Sequence, residues 1–442
     1  MLNWSGSTLT SSPQAKFVAA SKIPNLKSQI DMVHQPPSGA RDLLPLDVAQ
    51  KISIERRLQQ VFHRWGYHRI ITSTLERLET LMAGGAIDRS TLIQLQDAVD
   101  GELGLRPELT ASIARAAVMR MAGTPWQPQR LYYNANVFRK GPDTGSGGQQ
   151  EFYQAGVELL GSGGTMADAE VLLLLSECLQ GLEIDDWHLV LGEAGLTASL
   201  LEPFPPNVRS QVRGAIANLD RVGLENLPLS TELRERALLL FDLRGRPEDV
   251  FPVVAKLDLD EPQQAALNNL KSAIELLYQC QSKIPNLKSH IHLDLSLIQT
   301  FDYYTGIVFE VVSSPQTGQR VLGQGGRYDR LLGLFDPKRQ NHPGIGFCLN
   351  IEDLHQILLT EGQLAQETPA SDFLVVPQTS DAEAAAFVYA RKLRESSDVV
   401  RVEMDLESRE TVEGVREYAR DRRIAQIAWV NAEGFPTIEM VN

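Results

Sequence analysis

The chain has 442 residues, of which 43% are hydrophobic and 22% charged, with a formal net charge of −14. That length predicts two to four domains, each with its own core, in a globular protein. The acidic balance excludes a broad nucleic-acid footprint, which needs clustered Lys and Arg, and no apolar run is long enough to span a bilayer.

Residues 1–37 are rich in Ser, Pro, Gln and Asn and read as a disordered tail. They lack the apolar core of a signal peptide, and Met32 offers an internal start. From Leu46 the pattern turns helical. In LDVAQKISIERRLQQVFHRWG, Val48, Ile52, Ile54, Leu58, Val61 and Phe62 fall near one face, and Gly66 ends the run. HRIITSTLE follows as a strand, and GELGLRPELT leads into a helix at ASIARAAVMRMAG. Two strand-like runs, QRLYYNANVFRK and QEFYQAGVELLG, are joined by the Gly-rich GPDTGSGGQ. The next helix contains VLLLLSECL, the most apolar stretch, and opens where Thr165 and Asp168 have the spacing of a capping box. DWHLVLGE is a further strand.

Residues 201–285 read as a leucine-rich helical insertion without strands. Strand character returns over 286–362, in HIHLDLS, GIVFEVV, QRVLGQGGRYD and GIGFCLNIE, so that 38–200 and 286–362 form one core. LAQETPAS reads as a linker. Residues 371–442 alternate strand and helix, which predicts a small α/β domain with a partly parallel sheet. Cys178, Cys280 and Cys348 are odd in number and far apart, the usage of reduced thiols in a cytoplasmic protein, with no metal-ligand spacing. The segment SKIPNLKS occurs at 21–28 and again at 282–289. It is too short to be a structural repeat, and its Pro, Asn and Ser suit loops, so we read it as a translated DNA repeat tolerated twice, ahead of the alternative of a shared binding motif.

Five ordered segments carry a family resemblance: GARDLLP, LRPELTASIARA, LYYNANVFRK with QEFYQAGVELLG, FDYYTGIVFEVV with GQGGRYDRLLG, and GIGFCLNIEDL. Together they resemble the catalytic domain of class II aminoacyl-tRNA synthetases, specifically histidyl-tRNA synthetase. The likeness extends over most of residues 36–442. It implies an α+β fold: an antiparallel sheet core flanked by helices, a helical insertion, and a C-terminal α/β domain similar to the synthetase's anticodon-binding domain. It also implies that Glu108, Thr110, Gln154, Glu158 and Tyr304 stand where the synthetase holds histidine, with Tyr303 beside them and Arg139 in its place in the second signature motif.

These residue types suit a zwitterion. An ammonium and an imidazole N–H both seek carboxylates or neutral acceptors, and Gln154 and Glu158 share one strand face. A strand edge would instead leave Glu158 an exposed carboxylate and Gln154 a solvated amide. Asp302 and Tyr303 suit a structural role equally well, and Arg139 suits an anion, packing or a salt bridge.

The nucleotide side departs from the synthetase. Gln299 in LIQTFDYY replaces an Arg, Asp353 in NIEDL stands where the third motif has its ATP-clamping Arg, and the loop after Lys140 holds no Arg or Lys. Losing one preorganised charge partner typically costs about 10²–10³ in rate, so three losses should abolish adenylate formation.

That pattern is similar to the regulatory subunits of ATP phosphoribosyltransferase, paralogues of the synthetase. The resemblance implies a non-catalytic chain without a cofactor or a tRNA partner. It implies association with a short-form catalytic subunit, in a hetero-oligomer built on dimers of this chain, and histidine as a feedback effector. The competing readings are an active histidyl-tRNA synthetase and a synthetase-like binding or dimerisation module. Other motifs are weaker. GQGGRYD lacks the Lys of a phosphate loop. His290 and His292 alternate without a completing ligand. RKLRES and RDRR read as solvated basic helix faces.

Overall fold

The computed structural model describes residues 36–84, 87, 89–121, 127–140, 148–280, 291–297, 303–314, 318–396, 400–407, 409 and 411–441. The tail through residue 35, both copies of SKIPNLKS, His290, Gln299, Asp302 and residues 141–147 lie outside them.

Helix α1 (Pro45–Arg64) starts with Pro at its first position and buries Ile54, Leu58, Val61 and Phe62. Val48 and Ile52, expected on the same face, are 37% and 45% exposed. At 100° per residue they lie roughly 120° and 160° round the helix from Ile54, whereas Gln50 lies only about 40° away. Gln50 is accordingly buried, and its amide donates to the Ala365 carbonyl at 2.6 Å.

The predicted strand HRIITSTLE divides in two. Strand β1 (His68–Arg69) joins a nine-stranded sheet, and β2 (Leu75–Arg77) joins a three-stranded one. The buried Arg106 explains the break, because its guanidinium donates to the carbonyls of Thr72 and Ser73 at 2.9 and 3.2 Å. Helix α2 (Leu78–Met82), β3 (Gln94–Asp97) and β4 (Gly101–Leu105) complete this small unit, with the order β2-β4-β3.

Helix α3 (Thr110–Met121), β5 (Gln129–Phe138), β6 (Glu151–Leu160), α4 (Thr165–Gly181) and β7 (Trp187–Glu193) follow. The capping box expected at α4 does not form. The N-cap is Gly164, at φ 82°, with no side-chain cap. Asp168 instead accepts from Arg327 Nε and Nη2 at 2.9 and 2.6 Å, with both residues buried. A charged guanidinium is a stronger partner than a backbone amide. Burial pushes the Asp168 carboxyl up, and Arg327 pulls it down.

Beyond β7 come α5 (Ala194–Leu201), α6 (Pro206–Ala217), α7 (Arg221–Asn226), α8 (Thr231–Asp242), β8 (Arg244–Gly245), α9 (Pro247–Val254) and α10 (Glu261–Cys280). The stretch is helical except for β8, a two-residue strand that the sequence did not reveal; it pairs with β9 (Ile291–Asp294). Strands β10 (Ile307–Ser313) and β11 (Val321–Arg327), helix α11 (Leu331–Phe335), strand β12 (Gly344–Asn350) and helix α12 (Ile351–Thr360) then return to the large sheet. Its order is β1-β5-β6-β12-β11-β10-β7-β9-β8. From β5 through β7 every neighbour is antiparallel.

The remaining sheet has the order β14-β13-β15-β16, from β13 (Phe373–Pro377), β14 (Val402–Met404), β15 (Gln426–Val430) and β16 (Pro436–Met440). Strand β13 is parallel to β14 and β15, while β16 is antiparallel to β15. Helices α13 (Glu383–Arg394) and α14 (Val412–Asp421) cover its two faces. Val375 packs with Ala386 and Ala390 of α13, whereas Leu374 and Val376 pack with Val415 and Ala419 of α14.

Removing one partner of a buried ion pair leaves an uncompensated charge, at a cost of about 3–5 kcal/mol. Arg327→Met should therefore lower stability by about that amount in urea unfolding. Adding Asp168→Leu should recover most of the loss.

Candidate functional site

Side chains alternate along β6. Ala155, Val157 and Leu159 enter the larger apolar core, while Gln154, Gly156 and Glu158 face the other side of the sheet. Glu158 is 1% exposed. Its Oε1 accepts from Thr110 Oγ1 at 2.7 Å, and its Oε2 accepts from the Tyr328 hydroxyl. The strand register sets Gly346 of β12 directly opposite Glu158. A Cβ at Gly346 would stand 2.0 Å from Glu158 Oε2, so glycine there lets the carboxylate lie across the neighbouring strand. Burial pushes the Glu158 carboxyl up to about 8; the Tyr328 and Thr110 hydroxyls pull it down, and the nearby Glu108 raises it further.

Glu108, also buried, accepts the backbone N–H groups of Thr110 and Ala111 at the start of α3. Helix N-termini present such unpaired donors. Burial still pushes Glu108 above the ordinary carboxylate range, against the pull of those amides, of Thr110 and of Arg139.

Tyr303 is buried, its ring centroid 4.8 Å from Tyr304 and 5.8 Å from Tyr328. Burial holds Tyr303, Tyr304, Tyr328 and Tyr133 well above the usual phenol range, so all four keep their protons. Gln154 is 3% exposed, and its Nε2 donates to Asn350 Oδ1 at 3.2 Å. Arg139 Nε donates to the Pro107 carbonyl at 2.8 Å, while its buried Nη2 has no hydrogen-bond partner among the described residues. The Cys348 thiol is pushed up to about 11 by burial and remains protonated.

All seven residues expected at the site, Glu108, Thr110, Arg139, Gln154, Glu158, Tyr303 and Tyr304, therefore lie on one face of the sheet around the end of α3. Glu158 is no edge carboxylate, and Gln154 is no solvated amide. The sequence reading missed Tyr328, Asn350, Gly346 and the buried Arg106. Tyr328 stood in GQGGRYD, part of a motif that carried the family resemblance, without a role of its own. Arg106 stood in LRPELT, where its guanidinium also holds the Asn136 carbonyl at 2.9 Å.

Asp353 accepts from Arg320 Nη1 at 3.1 Å, so the position where the third motif has an Arg carries a carboxylate already paired. Its neighbour Glu352 accepts from the Tyr153 amide at 3.0 Å and from Arg41 at 3.4 Å. No group of three or more ligating side chains able to hold a metal occurs among the described residues. The site thus offers two buried carboxylates, four phenols and one unmatched guanidinium nitrogen. That set complements a ligand bearing both a nitrogen cation and a carboxylate.

The profile of the histidyl-tRNA synthetase family matches residues 39–354. The ATP phosphoribosyltransferase regulatory subunit of Nostoc sp. PCC 7120 is 64% identical over 93% of this chain and 100% of that one. A crystal structure from Bacillus halodurans, described as an ATP phosphoribosyltransferase regulatory subunit/histidyl-tRNA synthetase, is 27% identical, with a TM-score of 0.73 over 90% of this chain and 98% of its own. The histidyl-tRNA synthetase of Nostoc sp. PCC 7120 shares the fold at a TM-score of 0.71 and 19% identity, over 92% of this chain and 97% of its own.

Two outcomes check this geometry. A carboxyl whose folded-state pKa lies above its unfolded value favours folding at low pH. The Glu158 contribution is full below pH 4.5 and is lost as pH rises through about 8, at up to about 1.4 kcal/mol per pH unit. The melting temperature of Glu158→Gln, relative to the parent, should therefore rise between about pH 5 and pH 9. A constant difference would place the carboxylate in water. Separately, Gly346→Ala should destabilise by about 1–3 kcal/mol through overpacking against Glu158, measurable by denaturant unfolding.

Proposed function

The chain belongs to the ATP phosphoribosyltransferase regulatory subunit family, and from that premise we propose that it carries histidine feedback onto the first step of histidine biosynthesis by binding histidine around Glu158. In this reading the imidazole N–H meets Glu158, the α-ammonium meets Glu108 and Gln154, and the carboxylate meets Arg139. Tyr303 and Tyr304 wall the ring. The observation that carries the proposal is the pair of buried carboxyls, Glu108 and Glu158, which lack an ion-pair partner from the described residues, with Arg139, one of whose guanidinium nitrogens is unmatched, close enough to act on Glu108.

The chain itself performs no amino-acid activation. The paired Asp353 supports this, because a carboxylate there repels a triphosphate. So does the contrast within Nostoc sp. PCC 7120, whose regulatory subunit is 64% identical to this chain and whose synthetase is 19% identical. The working assembly is a cytoplasmic hetero-oligomer of dimers of this chain with a short-form catalytic subunit, which makes phosphoribosyl-ATP from ATP and phosphoribosyl pyrophosphate. No tRNA takes part. Histidine inhibits by binding one arrangement of that assembly better than another, and the difference in affinity sets the largest possible effect.

The test is co-purification with a short-form catalytic subunit, followed by assay with and without histidine. Restored, histidine-sensitive activity is expected. No restoration, or no change in sensitivity, would sink the reading. Glu158→Ala should shift the inhibitory histidine concentration upward at least about tenfold with assembly intact. ATP–pyrophosphate exchange with histidine should stay at background, and exchange at an enzyme-like rate would restore the synthetase reading.

A further inference from the structure

A backbone carbonyl can only accept a hydrogen bond, and this one-way chemistry fixes a chain of amides leading into the pocket. Asn350 Nδ2 donates to the Val321 carbonyl at 2.9 Å. Its Oδ1 must therefore turn toward Gln154, whose Nε2 donates to it at 3.2 Å. Strand pairing places Gln154 of β6 directly opposite Asn350 of β12. One N–H of Gln154 Nε2 is thus held by Asn350, and Oε1, at the other end of the same planar amide, is the side chain's acceptor. Gln154 shares its strand face with Glu158, four residues along.

We propose that Asn350 is a positioning residue, which turns the Gln154 carbonyl oxygen into the pocket and so selects ligands with an α-ammonium over analogues that lack it. The inference rests on the histidine reading and adds what enforces recognition of the amino group. An untethered glutamine amide can rotate and present its NH2 face, which repels an ammonium. Asn350 removes that option, because reversing its own amide would set an oxygen against the Val321 carbonyl.

The test compares two ligands, histidine and 3-(imidazol-4-yl)propionate, its des-amino analogue, by calorimetry on the full chain. Asn350→Leu is nearly isosteric but leaves Gln154 Nε2 without an acceptor, which favours the reversed orientation. The ratio of the two affinities should fall about tenfold in Asn350→Leu, mostly through weaker histidine binding. Binding of the analogue should change little. Asn350→Ala, which frees the amide without favouring either orientation, should move the ratio the same way by less and serves if the leucine variant does not fold. A parent that binds histidine with an unchanged ratio in the folded variant would overturn this inference alone. A parent that fails to bind histidine would overturn the functional reading, and the inference with it.

Discussion

The Glu158 carboxylate lies across a neighbouring strand at a glycine, almost wholly out of water, and much of the site follows from keeping it there. A buried carboxylate needs donors for both oxygens. Thr110 supplies one from the start of α3 and Tyr328 the other from the end of β11. That requirement fixes the first turn of α3 against the sheet. It also brings Glu108 alongside, because Glu108 takes the amides of the same turn. Two carboxylates then share one low-dielectric space, with Arg139 as the nearby positive charge. The network leaves two things open, an ion-pair partner for the buried carboxyls and an acceptor for Arg139 Nη2, and under the proposed function the ligand brings both.

Adjacent residues carry this arrangement outward. Tyr328 binds Glu158, while Arg327 before it pairs with Asp168 of α4 in a second buried network. The Arg327 carbonyl also accepts the Thr305 amide at 2.7 Å, beside Tyr304. Pocket residues and helix-anchoring residues therefore alternate along the same two segments. Tyr304 and Tyr328 thus adjoin the residues that anchor α4, a contiguity along which the proposed feedback would act.

The large sheet shows how one platform changes use without changing shape. Its likeness to a synthetase 19% identical concerns backbone alone, and function resides in the side chains placed upon it. Asp353 keeps a position on the first turn of α12, but its sign is reversed and its charge is spent on Arg320. The opposite flank, built from Glu108, Gln154 and Glu158, remains buried and ordered. Charge is cheap to alter at a half-exposed helix end, whereas a buried carboxylate is tied to glycines and hydroxyls on other elements.

Local pattern alone determined much of the architecture. The helix α1, though not its whole buried face, the paired runs of β5 and β6, the helices between β7 and β9, and the alternating C-terminal sheet follow from spacing that each segment carries within itself. The residues that cluster around Glu158 were legible because they stand in ordered motifs and because Gln154 and Glu158 are an even number of positions apart. Spacing misled where a distant partner intervened. Asp168 sits at cap spacing yet answers to Arg327, and HRIITSTLE has one strand's pattern yet is broken by Arg106. Only the tertiary structure decided that Gly346 faces Glu158 and Asn350 faces Gln154. Those pairings are set by the register of β12 against β6, almost 200 residues away. Register depends on how both strands bury their other faces in the common core, and neither strand states it alone.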